Sequence, residues 1–536
     1  PEHLADYLDA LSALQIKHGF EGVLYGHFGA GCVHIRYDFD LETDTGRIRM
    51  QAFVQEAARL IAGFGGSISG EHGDGRARTA LLKEMYSSEA IALFQRIKHA
   101  WDPGNILNPG PITSSTSVLD DLAPAPLPMP SVSALHRDRG DLGIAAARCV
   151  GVARCVSTNV SAMCPTYNVT RLESDGTRGR ARTLQDLVSG LDVTLDDAVA
   201  VLDHCLACKA CATECPTGVD MATYKAEILY RRYRGRPRPL AHYTLGWLPR
   251  WVAISGLFAQ AANAMLQIPA IRRMRPRLAG ISAARSLPRL ATQRERAPMK
   301  MINAKQPRAL LFIDTATKGF NPELALAAQR VLVAAGIPVQ AIQQGCCGLT
   351  YISSGQFERA QRVQAQLFDA LASHSDDLPI IVLEPSCAVS LLQDLPSLST
   401  DVRAANVSAR IMTFAQALTT LAPEWKWPSL PPQVVMQTHC HERAARLGQT
   451  QATVLADHGV EVAEPVGCCG MGGSFGFEAE HFEMSVAVAE MSLAPTIDAH
   501  EQAVVVADGF GCRCQIAQVR PEREATHLAT LLDALL

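Results

Sequence analysis

No glycine-rich loop of the G-x-G-x-x-G type occurs in the 536 residues, so nothing here would seat a dinucleotide pyrophosphate at a helix N-terminus. Charge of one sign is scarce as well. The formal net charge of -4 leaves no electrostatic footprint for nucleic acid. No secretory signal opens the chain, and its first residue is Pro1 rather than Met, so the expectation is the C-terminal portion of a longer polypeptide. A clean membrane-spanning run is also lacking. The nearest approach, Trp251 to Ala270, carries no charge but includes Ser255, Gln260, Asn263, Gln267 and Pro269, where a spanning helix wants about 20 predominantly apolar residues. It lies within a basic segment, Arg231 to Lys300, between Arg250 and the group Arg272, Arg273 and Arg275. A buried helix pair is the first expectation for this stretch, and an amphipathic surface resting on anionic lipid is the second.

What the chain has in excess is cysteine. Its 16 cysteines fall in clusters beside other reactive residues rather than spread as in a disulfide scaffold, which points to reduced thiols and a cytoplasmic setting. A length of 536 residues with 48% hydrophobic and 19% charged content implies several folded domains.

The run Cys205-x2-Cys208-x2-Cys211-x3-Cys215-Pro216 matches the bacterial ferredoxin ligand pattern for 4Fe-4S clusters. A zinc knuckle is the competing reading of C-x2-C pairs. In two-cluster ferredoxins the fourth cysteine of one run serves the other cluster, and a partner run lies upstream as Cys149-x5-Cys155-x8-Cys164-Pro165. One cluster then takes Cys205, Cys208, Cys211 and Cys164. Cys149, Cys155 and Cys215 remain for the second, which would be 3Fe-4S or recruit a non-cysteine ligand.

The domains expected are residues 1–112, a linker over 113–140, a helical ferredoxin-like part with its basic apolar extension over 141–300, and two related domains over 305–425 and 432–536. Turn chemistry at Asp102-Pro103-Gly104 and Asn108-Pro109-Gly110 closes the first. In the second half short β-rich runs (Ala309 to Ile313, Ile380 to Leu383, Val434 to Met436, Ala503 to Val506) alternate with amphipathic helices, which implies parallel α/β units. The half repeats itself: Gly345-Cys346-Cys347-Gly348 recurs as Gly467-Cys468-Cys469-Gly470, and each copy runs on to Cys387 or to Cys512 with Cys514. Two copies of one domain are the economical explanation. The fold class is therefore multidomain α/β and α+β.

In the first domain, Gly26-His27-Phe28-Gly29-Ala30-Gly31-Cys32-Val33-His34 puts two imidazoles around a glycine-rich bend, and Gly70-Glu71-His72-Gly73 adds a carboxylate and a third. Two histidines and a carboxylate suit Zn or Mn with positions open for substrate; turn-forming glycines with structural histidines are the alternative. Residues up to about 110 resemble the C-terminal half of FAD-linked oxidases of the vanillyl-alcohol oxidase superfamily, in the D-lactate, glycolate and D-2-hydroxyglutarate dehydrogenase branch. The resemblance implies His27, His34 and Glu71 as metal ligands and His72 as the base. The chain departs from that pattern at Ala30 and Cys32, which stand for Asp and Asn. FAD is implied by resemblance alone, and its binding domain would precede this part. Arg36, Arg76 and Arg78 are candidates to hold a substrate carboxylate bidentately, with solvated surface arginines as the competing reading.

Vicinal cysteines followed by glycine can both face one metal site. The second repeat offers Cys440, Cys468, Cys469, Cys512 and Cys514, and the first only Cys346, Cys347 and Cys387. These domains resemble the cysteine-rich domain of the heterodisulfide reductase catalytic subunit, of the glycolate oxidase iron-sulfur subunit and of the anaerobic glycerol-3-phosphate dehydrogenase membrane subunit, which implies a further iron-sulfur site. Zinc in one repeat, or a site shared between repeats, stays open. His439 and His441 are either ligands, proton carriers, caps or core residues. The whole chain resembles large fused bacterial FAD/iron-sulfur enzymes of the D-2-hydroxyglutarate or D-lactate dehydrogenase type. That implies oxidation of a small D-2-hydroxy acid with electrons leaving through the clusters to a quinone or a soluble carrier. A non-catalytic electron-transfer subunit and a heterodisulfide-reductase-like or glycolate-oxidase-like catalyst are the rival readings. Peripheral contact with the inner face of the cell membrane and assembly into a homo-oligomer are compatible with each.

Overall fold

The computed structural model describes every residue except Glu42, Ser115, Thr116, Asp121, Ala123, Pro124, Ala134, residues 158–162, Asp376 and residues 447–449. Part of the expected connector therefore lies outside the described residues. The chain divides into two units, Pro1–Pro126 and Leu127–Leu536. The architecture is multidomain, with an α+β first part and parallel α/β parts in the second.

In the first unit the helix Leu4–His18 stops at Gly19, whose left-handed backbone (φ 68°) returns its N–H to the last turn and leads into a hairpin. Strands β1 (Gly22–His27) and β2 (Cys32–Tyr37) pair antiparallel, with Tyr25 opposite His34 and His27 opposite Cys32. Side chains alternate across a strand, so Val33, Ile35 and Tyr37 share one face and Cys32, His34 and Arg36 the other. Aromatic packing fixes the first face. The Tyr37 ring lies 4.9 Å from that of Phe53, a buried residue of the helix Asp44–Gly63, whose N-terminus Thr43 caps by accepting the Gly46 N–H at 3.1 Å. The opposite face is thereby left for chemistry.

The second unit begins with helices Leu142–Ala147, Thr177–Val188, Leu195–Asp203 and Met221–Tyr233 around a core that includes Leu142, Leu184, Leu202, Tyr224 and Ile228. Asp141 caps the first through the N–H groups of Gly143 and Ile144, and Thr194 with Asp197 forms a capping box on the third. The cysteines lie on the intervening loops and short turns.

Two four-stranded parallel sheets follow. The first holds β3 (Ala309–Phe312), β4 (Val339–Ile342), β5 (Ile380–Val382) and β6 (Ile411–Thr413) in the order β4-β3-β5-β6; the second holds β7 (Gln433–Met436), β8 (Glu461–Ala463), β9 (Val504–Val506) and β10 (Ala525–Thr526) in the order β10-β9-β7-β8. Read from the second strand of each, the two orders are the same, which is what duplication produces. One core runs through both, joining Leu311, Val331 and Phe414 to Val434, Val506 and Leu528. In open parallel sheets ligands bind beyond the carboxyl ends of the strands, where strand order reverses. Here that switch point lies between the first and third strands of each repeat.

The stretch Trp251 to Ala270 corrects an expectation of burial. It holds the helices Leu248–Ser255 and Ala259–Gln267, within a string that also includes Leu240–Thr244 and Pro269–Ala279, but it leaves Leu257 79% and Phe258 66% exposed. Pro249 and Pro269 sit in the first turns of two of them, where no N–H partner is lost, and Pro276 lies inside the last. Among the described residues no helix is long and apolar enough to cross a membrane.

A buried ionic network docks the ferredoxin-like part on the second repeat. His481 is 3% exposed; its Nε2 lies 2.7 Å from Asp203 Oδ2, its Nδ1 3.0 Å from Glu478 Oε2, and its ring stacks on Phe475 at 4.3 Å. Burial opposes the charged imidazole, but the two carboxylates outweigh it and raise its pKa to about 9. The raised value means that the stabilisation is complete below the unfolded pKa of about 6.5 and is lost as pH rises through about 9. The network is expected to contribute about 3 kcal/mol near neutrality. Denaturant midpoints should fall over that window, and His481→Gln should abolish the dependence while lowering the midpoint at the acid end.

Candidate metal and redox sites

On the open face of the hairpin the Glu71 carboxylate draws three imidazoles together. Its Oε1 lies 3.5 Å from His27 Nδ1, and its Oε2 lies 3.1 Å from His34 Nε2 and 3.8 Å from His72 Nε2. Tyr25 stacks on His34 at 5.2 Å, and His34 meets His72 at 4.9 Å between ring centroids. The loop carrying Glu71 crosses at Gly70, where an added Cβ would stand 3.4 Å from Cys32 Sγ. Among the described residues, His34, Glu71 and His72 are the one group of three or more His, Cys, Asp or Glu whose ligand atoms all lie within 4.8 Å of each other. His72, read from the sequence as a base, belongs to this group, whereas His27 reaches only the other oxygen of Glu71. Imidazole nitrogens with a carboxylate fit Zn or Mn. Arg36 shares the face of His34, Arg76 is exposed on the neighbouring turn, and Arg78 donates to the Gly73 carbonyl at 3.2 Å, which ties it to the loop.

All 16 cysteines are free thiols. Cys205, Cys208 and Cys211 are buried on a loop bent by left-handed Ala207 and Lys209 (φ 53° and 60°). Burial pushes the Cys208 and Cys211 thiols up, so a metal or cluster must displace those protons on binding. Cys164, itself left-handed at φ 54°, stands between the two sets: its thiol hydrogen-bonds Cys155 and lies near enough to raise Cys208 and Cys211. The N–H groups of Thr177 and Arg178, in the first turn of the helix Thr177–Val188, point at Cys164 Sγ (3.0 Å) and Cys155 Sγ (3.2 Å). Such N–H···S bonds favour thiolate and tune a cluster. Cys149 and Cys215 are half-buried at the edge of the same core.

In the second repeat the thiols form a chain, Cys440 to Cys468 to Cys469 to Cys512, at the carboxyl ends of β7, β8 and β9. In the first, Cys346, Cys347 and Cys387 repeat the last three links, with Cys347 Sγ 3.0 Å from Cys387 Sγ. The fourth place belongs to Thr315: like Cys440 it is the first residue of the helix after the first strand, and its hydroxyl lies 3.4 Å from Cys346 Sγ. Both Cys-Cys pairs turn at a left-handed glycine, Gly348 or Gly470 (φ 87° and 84°), whose N–H meets the first sulfur at 3.4 and 3.3 Å. Thiols around one tetrahedral zinc would stand about 3.8 Å apart; no three cysteines gather within 4.8 Å, so these sets fit a multinuclear centre better than a single ion.

His441 Nε2 donates to the Ala207 carbonyl (2.9 Å), which joins the second repeat to the ferredoxin loop, and His439 Nδ1 accepts the His441 N–H at 3.2 Å as a helix cap. Burial depresses the two to about 3 and about 4 respectively, so both are neutral. Cys208 is close enough to Cys440 for each site to perturb the other.

Several groups escaped the sequence reading. Lys209, inside the cysteine run, is buried against Asp394; burial opposes its charge, but Asp394 and Asp220 outweigh it. Arg285, 1% exposed, bonds only neutral acceptors among the described residues, Gly476 O at 2.7 Å, Gln515 Oε1 at 2.6 Å and Ser485 Oγ at 3.0 Å. Burial lowers it to about 10, and the opposing influence comes from Cys514 and Cys469. Its counter-charge must therefore be sulfur-borne. Glu384, which accepts the Phe510 N–H at 2.7 Å, and Asp314 are buried beside the first repeat's thiols, and burial raises both. A cation among thiolates was visible at Lys209, whereas the other three converge only through the fold. Thiols of both repeats, Glu384 and Asp314 open on one cavity of about 720 Å³.

Comparison with known proteins agrees with this arrangement. Residues 1–112 match the family described as FAD linked oxidases, C-terminal domain; residues 145–219 match the 4Fe-4S dicluster domain; residues 313–392 and 434–517 match the cysteine-rich domain. The chain is 25% identical over 609 residues to the D-2-hydroxyglutarate dehydrogenase of Escherichia coli (strain K12), covering 100% of this chain and 58% of that protein. It is 28% identical over 612 residues to the protein of the same name from Pseudomonas putida, covering 98% and 57%. The D-lactate dehydrogenase of Archaeoglobus fulgidus is 35% identical over 112 residues, 21% of this chain and 24% of that protein. The chain thus spans somewhat over half the length of the full-chain relatives. FAD-linked oxidase and iron-sulfur domains are both represented in it.

Cys208→Ala should remove one reducible iron-sulfur signal in electron paramagnetic resonance while leaving others. Arg285→Met should lower the midpoint potential of the second-repeat centre by on the order of tens of millivolts, because a buried positive charge favours the reduced, more negative state. Redox titration followed spectroscopically measures both.

Proposed function

We propose that this chain handles substrate and electrons in an FAD- and iron-sulfur-dependent dehydrogenase that oxidises a D-2-hydroxy acid of the 2-hydroxyglutarate or lactate class to the 2-oxo acid. The observation that carries the reading is the Glu71 carboxylate within 3.8 Å of three imidazoles, a donor set that an electron relay has no use for. The names of the relatives point the same way.

His27, His34 and Glu71 would hold Zn or Mn, which suits the hydroxyl and carboxylate oxygens of a 2-hydroxy acid. His72 takes the hydroxyl proton at Nε2, the atom that faces Glu71. Loss of that proton together with the C2 hydride leaves the 2-oxo acid. Arg36 and Arg76 pair with a carboxylate of the substrate, whereas Arg78 braces the loop. When bound, FAD supplies the two-electron acceptor and iron-sulfur clusters supply one-electron carriers.

In the second unit Cys205, Cys208, Cys211 and Cys164 hold one cluster, and Cys149, Cys155 and Cys215 hold the second. Cys440, Cys468, Cys469, Cys512 and Cys514 hold a further centre beside Cys208, from which electrons leave to an external acceptor. Arg285 and Lys209 balance the negative charge of the thiolates.

In the flavin-loaded enzyme His72→Asn should cut turnover by about 10²-fold or more with metal retained. Loss of metal in that variant would make His72 a ligand, and unchanged turnover would remove it from the reaction.

A further inference from the structure

Between Glu227 and Glu295 the chain has no acidic residue and thirteen arginines. Its short helices there expose a run of apolar side chains: Ile254, Leu257, Phe258, Met265, Ile268 and Leu278 are all solvent-facing. Arg250, Arg272, Arg273 and Arg277 lie among them and are exposed; among the described residues none of the four forms an ion pair. The scaffold beneath is well tied. Asn263 exchanges two 2.9 Å hydrogen bonds with the Leu290 backbone, Arg272 Nε and Arg275 Nη2 reach the Ala283 carbonyl at 2.7 and 3.1 Å, and Gly280 ends the helix Pro269–Ala279 in a left-handed cap. Exposed hydrophobics on an ordered scaffold, interleaved with unpaired arginines, are the pattern of a surface that lies in a bilayer interface. An aqueous protein partner of acidic character would answer the arginines but not the apolar tips. An anionic bilayer answers both.

We infer that the segment Leu248–Ala279 is a docking face for an anionic membrane, and that the acceptor reduced at the cysteine sites is a lipid-dissolved quinone. The second clause rests on the electron-transfer reading above; the first does not. The connection is the 720 Å³ cavity, whose wall includes Leu248, Trp251 and Leu266 of this segment as well as Cys346, Cys469 and Cys512. Trp251 is itself part-exposed, so it both faces outward and borders the space before the thiols. A quinone is a flat, mostly apolar ring that suits such a wall, with Phe320 and Phe510 stacked at 5.0 Å farther in. Its reduction to quinol takes two electrons, delivered singly through the cysteine-held centres from the hydroxy acid, and two protons from solvent.

Flotation of the iron-sulfur-loaded chain with phosphatidylglycerol-phosphatidylcholine vesicles tests the docking face. The protein should float at low salt and not with phosphatidylcholine alone, and binding should fall as salt rises because arginine attraction is screened within about 8 Å at physiological ionic strength. The double variant Leu257→Ser/Phe258→Ser should lose about tenfold in binding while keeping its circular dichroism spectrum. Failure of the parent chain to float at low salt, or equal binding by the variant, overturns the docking face. For the acceptor, protein reduced with dithionite should have its iron-sulfur absorbance reoxidised by quinone embedded in those vesicles, and about tenfold more slowly in the double variant, with reoxidation by ferricyanide unchanged. Reoxidation that ignores the vesicle quinone overturns the acceptor assignment and leaves the dehydrogenase reading untouched.

Discussion

The second unit depends on one constraint: a loop of three buried thiols must be held against the carboxyl ends of a parallel sheet. Thiols buried without counter-charge resist ionisation, and the loop that carries them offers one apolar anchor, Leu206, packed against Cys468, Phe475 and Val488. Polar contacts supply the rest of the docking. His481 bridges Asp203 and Glu478, Lys209 meets Asp394, and His441 meets the Ala207 carbonyl. All three act within a few residues of Cys205, Cys208 or Cys211. A packed apolar interface of similar area could be as stable, but it would not fix the loop in one register. Two of the contacts also bring positive charge to a place where thiolates would otherwise repel one another.

Charge compensation separates the two repeats in the same way. Beside Cys469 and Cys514 stands Arg285, a guanidinium that burial alone would expel and that no carboxylate holds. Beside Cys387 stand Asp314 and Glu384, carboxyls whose pKa burial raises. A thiolate-ligated centre is anionic, so a guanidinium beside the thiols makes the second repeat the better suited of the two to carry one. The hydroxyl of Thr315 in the place of Cys440 agrees with this, because it takes away a soft ligand. The topologies are the same, and the difference lies in a handful of side chains at the strand ends.

Much of this was legible in the sequence because it is local. The strand at Ala309–Phe312 and the one at Val504–Val506 are short β-branched or apolar runs between helical periods, and the doubled Gly-Cys-Cys-Gly announces the duplication without any structure. The ferredoxin run is legible for the same reason, its spacing being the geometry. Arg285 could not be found that way: its partners Gly476, Ser485 and Gln515 are some 200 residues distant, and in sequence it is one arginine of thirteen in a basic stretch. The exposed helices of that stretch were misjudged in first preference because an uncharged run of this length reads as core. Pro269 near its end, and the lack of any acidic residue between Glu227 and Glu295, were the signals against that reading.

The shared cavity follows from duplication itself. A parallel sheet with its second strand outside the first has one switch point, and that crevice is where side chains from two strand ends can meet a ligand. Two such sheets sharing a core through Val331 and Leu528 bring two crevices to one space, which neither could enclose alone. Divergence can then act on each wall separately. One wall presents Cys440, Cys469 and Cys512, with a buried guanidinium behind them; the other presents Cys346, Cys347 and Cys387 and two buried carboxyls of raised pKa. A space bounded on one side by the second repeat's thiols and on the other by buried acids of raised pKa is suited to an acceptor that takes up charge and protons together, which a lone copy of either wall would not accommodate.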